Sequence, residues 1–196
     1  MKILITGSAG FIGFNFSKHL LQNSNYHILG IDNLNDYYDV NLKKKRIKNL
    51  RSFKRFKFQK ADITNQFTKN KIFKKNKFDF VFHFAAQAGV RYSIRYPRKY
   101  LDANINGFYN ILESSNKNNI KRLFYASSSS VYGENKNYPL NEKERILPKN
   151  MYALSKKINE EISSIFNNYY KLKLTGLRFF TVYGEWGRPD MMMLQF

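Results

Sequence analysis

The chain has 196 residues, 43% hydrophobic and 17% aromatic, enough for one domain with its own core and too apolar for a disordered chain. It carries no cysteine, which excludes disulfides and thiolate metal sites and points to a reducing compartment, the cytoplasm. The net charge of +20 is spread along the chain, densest at Lys43, Lys44, Lys45 and Arg46, so attraction to anionic small molecules is expected rather than nucleic-acid binding.

Lys2 to Thr6 predicts a first strand, and Phe11 to about Leu21 a helix with Ile12, Phe16 and Leu20 on one face. His27 to Ile31 is a second strand ending at Asp32. A polar loop, Asn33 to Asp39, leads into a basic helix that runs to about Leu50. Lys54 to Gln59 is a third strand leading to Asp62, and Thr64 to Lys75 a candidate helix. The fourth strand spans Phe78 to Phe84, with Ala85 and Ala86 at its carboxyl end. A helix over Lys99 to Asn116, a fifth strand over Lys121 to Ser127, and a loop from Gly133 to Lys149 follow. The next helix starts near Asn150 and runs to about Tyr170, and Lys173 to Phe179 is a sixth strand. Alternating strands and helices predict an α/β fold, a doubly wound parallel (Rossmann) sheet built from two βαβ halves.

No run approaches the ~20 apolar residues of a membrane span, and the N-terminus lacks the apolar region and cleavage site of a signal peptide, so no membrane partner is expected. His19, His27 and His83 are scattered without metal-ligand spacing, and no metal site is expected.

Two motifs carry chemistry. The first is Thr6-Gly7-Ser8-Ala9-Gly10-Phe11-Ile12-Gly13, between the first strand and the first helix. Gly7, Gly10 and Gly13 permit a tight turn and close approach of the main chain to a pyrophosphate at the helix N-terminus, where Phe11 and Ile12 also lie. Asp32 follows about 25 residues after Gly7; a carboxylate there accepts from adenosine ribose hydroxyls and repels a 2′-phosphate. Neither Asn33 nor Leu34 offers an arginine, so NAD is favoured over NADP. Asp62, with Ile63 beside it, is placed to reach the adenine or is a surface turn residue. Ala85, Ala86 and Gln87 lie where open α/β sheets gather ligands.

The second motif is Tyr152 and Lys156, one helical turn apart, preceded by the serine run Ser127 to Ser130. A lysine on the same helix face stabilises a tyrosine phenolate, which then serves as a general base near neutrality.

These stretches resemble the extended short-chain dehydrogenase/reductase family and, within it, the NAD-dependent nucleotide-sugar epimerases. Asn33 to Val40, Ala85 to Ser93 and Arg178 to Asp190 are similar to UDP-glucuronate 4-epimerases, although Glu185 stands where these usually have proline. The resemblance implies a UDP-sugar substrate, NAD and a homodimer formed through helices such as Lys99 to Asn116 and Asn150 to Tyr170. It implies reversible oxidation at sugar C4. Tyr152 takes the 4′-hydroxyl proton, NAD takes the hydride, the 4-keto sugar turns over, and the hydride returns to the opposite face. Lys156 would hold the phenolate and the nicotinamide ribose, with Asn104 near the cofactor. Ser128 would bridge substrate and tyrosine, with Ser129 and Ser130 in adjacent register. Arg91 and Arg188 are the candidate partners of the glucuronate carboxylate.

UDP-glucose 4-epimerase would use the same fold and catalytic pair without a carboxylate partner. A sugar-nucleotide 4,6-dehydratase would need an Asp-Glu pair where this chain has Ser128 to Ser130. The family carries a smaller C-terminal substrate domain, and this chain stops in Met-Met-Met-Leu-Gln-Phe. Residues 1–180 are therefore expected to form the NAD-binding domain and 181–196 the start of a truncated substrate region. An inactive NAD-binding fragment is the alternative of another class.

Overall fold

In a computed structural model, which describes residues 1–135 and 137–190, six parallel strands form one sheet. They are β1 (Lys2–Thr6), β2 (His27–Asp32), β3 (Phe56–Lys60), β4 (Phe80–His83), β5 (Arg122–Ser128) and β6 (Leu174–Phe179), in the order β3-β2-β1-β4-β5-β6. Helices α1 (Phe11–Asn23), α2 (Val40–Leu50), α3 (Gln66–Lys74), α4 (Val90–Arg95), α5 (Pro97–Tyr100), α6 (Gly107–Lys117) and α7 (Met151–Tyr169) complete the fold. The chain winds outward from β1 to β3, then crosses back to place β4 on the other side of β1. That reversal leaves a crevice above the carboxyl ends of β1 and β4, where open α/β sheets bind ligands. The doubly wound parallel sheet is the one expected from the alternating pattern.

Side chains alternate across each strand, so β1 feeds two cores. Leu4 joins Leu29, Ile31, Val81 and Leu123 beneath Phe108, Ile111 and Leu112 of α6 and Phe166 of α7. Ile3 and Ile5 point the other way and join Ile28, Phe14 and Leu21 of α1, and Leu50 of α2. Each fully buried side chain of this kind stabilises the fold by roughly 1.5–3 kcal/mol. The central strand is buried on both faces, which is why its sequence is a continuous apolar run.

Several elements differ from the pattern-based expectation, among them α4, which falls in a stretch assigned no element. The fourth strand begins at Phe80; Asp79 just before it bonds through its backbone to Lys2 (2.8 Å) and Lys121 (3.1 Å), and its carboxylate accepts the Lys2 N–H (2.9 Å) and the Lys121 ammonium (2.7 Å). The third begins at Phe56 rather than Lys54. The single helix expected over Lys99 to Asn116 instead opens at Pro97 and passes through a π-helical turn, residues 101–106, before becoming α6. Of the expected substrate region 181–196, residues 191–196 lie outside the described residues.

Candidate active site

At the end of β1 the backbone turns through Gly7, whose φ is +70°. A Cβ on Gly7 would stand 2.6 Å from the Ala85 nitrogen, and one on Gly13 would stand 2.2 Å from the Gly7 oxygen. The loop is thus pressed against both the end of β4 and the first turn of α1. The first N–H groups of that turn have no intrahelical acceptor, and Gly10 offers no side-chain cap to take their place. Phe11, Ile12 and Gly13 line a cavity of about 500 Å³ together with Gly7 and Gly10.

Asp32 closes β2 and lines the same cavity. Its Oδ2 accepts the Ala9 N–H (3.1 Å) and its Oδ1 the Leu34 N–H (2.8 Å), the latter from a residue bent into the left-handed region at φ 57°. Burial pushes this carboxyl above its ordinary range, against the pull of those N–H groups and of Lys43. Beside it Asn33 Nδ2 donates to Asp62 Oδ2 (3.0 Å), while the N–H and hydroxyl of Thr64 donate to Asp62 Oδ1 (2.8 and 2.7 Å). Burial raises Asp62, but these three donors together outweigh it and hold its pKa below the usual value. Asn33, Asp62 and Ile63 all line the cavity.

The far end is assembled from side chains. Asn150 caps α7 by accepting the Ala153 N–H (2.9 Å), which fixes the start of the helix that carries Tyr152 and Lys156. Both line the cavity. Lys156 is 3% exposed, donates to the Ala126 carbonyl (2.7 Å), and has its ammonium 6.0 Å from the centre of the Tyr152 ring. Burial pushes the Lys156 pKa down to about 8. The floor is equally polar: Thr6 Oγ1 accepts the Ala85 N–H (3.1 Å) and shares a hydrogen bond with His83 Nδ1 (2.8 Å). Burial, with Lys156 nearby, pushes His83 down to about 3, so the ring is neutral.

Ser127 and Ser128, at the end of β5, line the cavity. Ser127 Oγ donates to Glu160 Oε1 (2.5 Å), and Glu160 is in turn paired with Arg178 of β6 through two bonds (3.0 and 2.8 Å). Ser128 Oγ accepts the Ser130 N–H (3.2 Å). Ser129 sits half-buried in the short 3₁₀ turn that follows, outside the cavity lining.

Ala85, Ala86 and Gln87 line the cavity between its two ends. Asn104 does not reach it. The side chain is 1% exposed and clasps the Gln87 backbone, its Oδ1 accepting the N–H (2.7 Å) and its Nδ2 donating to the carbonyl (3.0 Å) and to Ser155 Oγ (2.9 Å). It sits in the π-helical turn, a widening that recurs at functional sites. Arg91 stands exposed on α4 and is not part of the lining. Arg188 is, with its fork held by Asp190 (3.0 and 3.1 Å). Pattern reasoning names Ser127 only within the serine run and gives no role to Tyr37, Lys43, Lys99 or Thr181, which also line the cavity. Only Ser127 and Thr181 carry a signal, their position at or just past the carboxyl end of a strand.

Residues 3–196 match the model of the "NAD dependent epimerase/dehydratase family". The chain belongs to this family. It is 49% identical to Protein CapI of Staphylococcus aureus, over all of this chain and 58% of that protein. It is 46% identical to UDP-glucuronate 4-epimerase 2 of Arabidopsis thaliana, over 97% of this chain and 44% of that one. Among solved structures, the UDP-glucuronic acid 4-epimerase of Bacillus cereus, in complex with UDP-glucuronic acid and NAD, superposes with a TM-score of 0.93 at 35% identity, covering all of this chain and 61% of its own. The chain thus spans about half the length of the curated relatives it matches.

The residues present fit a dinucleotide. The close-packed glycine loop, the uncapped first turn of α1 and the Asp32 carboxylate at the end of β2 supply a pyrophosphate cradle and a ribose acceptor along one cavity wall.

Proposed function

We propose that this chain is the dinucleotide-binding part of a UDP-sugar 4-epimerase that interconverts UDP-glucuronate and UDP-galacturonate. One observation carries the reading: Ser127, Ser128, Tyr152 and Lys156 line the same cavity as the glycine loop, Asp32 and Asp62. The similarity to the Arabidopsis and Bacillus enzymes supports the acidic sugar.

The N–H groups of Phe11, Ile12 and Gly13 would hold the pyrophosphate of NAD, and Asp32 with Asn33 the adenosine ribose. Asp62 and Ile63 would flank the adenine, Ala85 to Gln87 the middle of the cofactor, and Tyr152 and Lys156 the nicotinamide ribose. Asn104 acts on the cofactor only through Gln87. Bound there, NAD supplies reversible hydride acceptance at sugar C4.

Tyr152 takes the 4′-hydroxyl proton and later returns it. Lys156, protonated at neutral pH with its pKa of about 8, sets its positive charge 6.0 Å from the centre of the Tyr152 ring. The serines have opposite polarity. Ser127 donates inward to Glu160 and presents only lone pairs to the cavity, whereas Ser128 accepts from Ser130 and keeps its hydrogen for the sugar oxygen. That favours Ser128 as the bridging hydroxyl over Ser127, and its place in the lining favours it over Ser129. Arg188 is the supported partner for a substrate carboxylate or phosphate, which would replace Asp190 in its fork. Exposed Arg91 lends the reading no support.

Tyr109 of α6 and Ile165 of α7 stand exposed and support the homodimer expected through those helices. The cytoplasmic location rests on the absence of cysteine.

Incubation of the purified chain with NAD and either UDP-glucuronate or UDP-glucose, with the epimers resolved by chromatography, tests the reading. Product from UDP-glucuronate alone is the expected result. Product from UDP-glucose alone would replace the substrate. NAD binding with no product from either sugar would favour the second reading, a cofactor-binding part that needs the rest of its relatives' length for turnover.

A further inference from the structure

Arg46 of α2 is completely buried, yet none of its acceptors is a carboxylate. Its Nη1 donates to the Ala9 carbonyl in the glycine loop (2.9 Å) and to the Tyr38 hydroxyl (2.6 Å). Its Nη2 donates to the carbonyls of Trp186 (2.5 Å) and Gly187 (3.3 Å), and its Nε is buried without a partner among the described residues. Burying a cation whose hydrogen-bond acceptors are all neutral is unfavourable on its own account, and the charge that answers it, Asp32, lies on the cavity wall rather than in direct contact, so packing alone does not explain this residue.

What Arg46 joins is informative. On one side is Ala9, whose N–H is held by Asp32 and whose successors line the cavity. On the other is a strap, Gly184 to Asp190, that returns from beyond β6 over α1. Trp186 rests on Phe14 with ring centroids 5.2 Å apart, Asn15 Nδ2 donates to the Glu185 carbonyl (3.1 Å), and the Tyr37 hydroxyl donates to Asp190 (2.9 Å). The strap carries Arg188 into the cavity lining.

We propose that Arg46 is a positioning residue that clamps this strap to the glycine loop, so that strap closure and dinucleotide binding reinforce one another. The coupling rests on the dinucleotide reading above; the clamp does not. Only a planar fork reaches the loop, Tyr38 and both strap carbonyls together; a lysine, a single point charge, cannot. Linkage is reciprocal: if the closed strap tightens NAD binding, bound NAD tightens the strap by the same factor.

Trp186 is the only tryptophan in the chain, so its emission reads the strap directly. Acrylamide quenching of Trp186, with and without saturating NAD, is measured alongside NAD affinity by calorimetry for the wild-type chain, Arg46→Lys and Asn15→Ala. In the wild type NAD should lower the quenching constant about twofold. Arg46→Lys should raise quenching in the absence of ligand, weaken NAD binding about tenfold, and abolish the protection of Trp186 by NAD. Asn15→Ala removes an exposed tether and should move quenching in the same direction by less, which keeps the question answerable if Arg46→Lys does not fold. Quenching unchanged by both substitutions would overturn the clamp. Calorimetric NAD binding that leaves wild-type quenching unchanged would overturn the coupling. A wild-type chain that binds no NAD would remove the dinucleotide reading and the coupling with it, while ligand-free quenching of the variants still decides the clamp.

Discussion

The two ends of the crevice are built by different means. At the glycine end the main-chain N–H groups are placed by one short tract and held by steric contact of backbone on backbone, with the Asp32 and Asp62 carboxylates beside them. At the Tyr152 end the groups are side chains from separate elements, each fixed by a polar partner elsewhere: Lys156 by Ala126, Ser127 by Glu160, Gln87 by Asn104. The first end is sensitive to volume, the second to charge and hydrogen-bond polarity. Substitutions that change one property and spare the other should therefore affect one end at a time.

Tyr152→Phe removes one hydroxyl and no packing volume. Turnover should fall by about 10²–10⁴-fold with the NAD dissociation constant within twofold of wild type. Steady-state kinetics and calorimetry on the same preparation check this, and loss of NAD binding would mean that the two ends are not separable. Gly13→Ala is the converse. Alanine is intrinsically better than glycine within a helix by about 1 kcal/mol, yet here its Cβ would stand 2.2 Å from the Gly7 oxygen, a backbone atom that cannot swing away. A net destabilisation of about 3 kcal/mol in urea unfolding, with NAD binding lost, is expected. A stabilised variant would show that the loop is not pressed against α1.

The same contrast decides what was legible in the sequence. The glycine loop, Asp32 and the strand alternation are local patterns, and each is found in the structure where the pattern puts it. Tyr152 and Lys156 are legible for the same reason, being one turn apart on one helix. Asn104 was legible as a residue but not in its placement, because its clasp on Gln87 spans elements that only the fold brings together. Arg46 and Glu160 carry no pattern at all. Their partners lie on other elements, at Trp186 and Arg178, and nothing in the spacing of a charged helix distinguishes a buried arginine from a solvated one. Short helix α4 carries no sequence signal, because six residues are too few to display a helical period.

Glu160→Gln tests whether the Tyr152 end depends on charge. Both partners of the Glu160–Arg178 pair are less than one-fifth exposed, so the substitution leaves the Arg178 guanidinium largely out of water without its counter-ion. A loss of about 2 kcal/mol is expected, together with reduced turnover and unchanged NAD affinity. An unchanged urea midpoint would show that the pair is solvated in effect and that Ser127 is held by packing.

Lys156→Met should act in the opposite sense. The folded-state pKa of Lys156 is about 8, below the ~10.4 of an unfolded lysine. Below pH 8 the lysine is protonated in both states, so the folded chain bears the full penalty of burying the charge, about 3 kcal/mol. Between pH 8 and about 10.4 the unfolded state binds more protons, so stability rises with pH, and above that window the penalty is gone. Methionine keeps the side chain's length without the charge, and gives up the bond to the Ala126 carbonyl, worth about 1 kcal/mol. The variant should therefore be inactive yet about 1–2 kcal/mol more stable than wild type at pH 7, and the advantage should vanish by about pH 10. Urea midpoints at the two pH values check both the sign and the window. A variant less stable at pH 7 would mean that the Ala126 bond outweighs the buried charge, and that the Tyr152 end of the crevice, unlike the glycine end, is held by a hydrogen bond strong enough to offset its electrostatic strain.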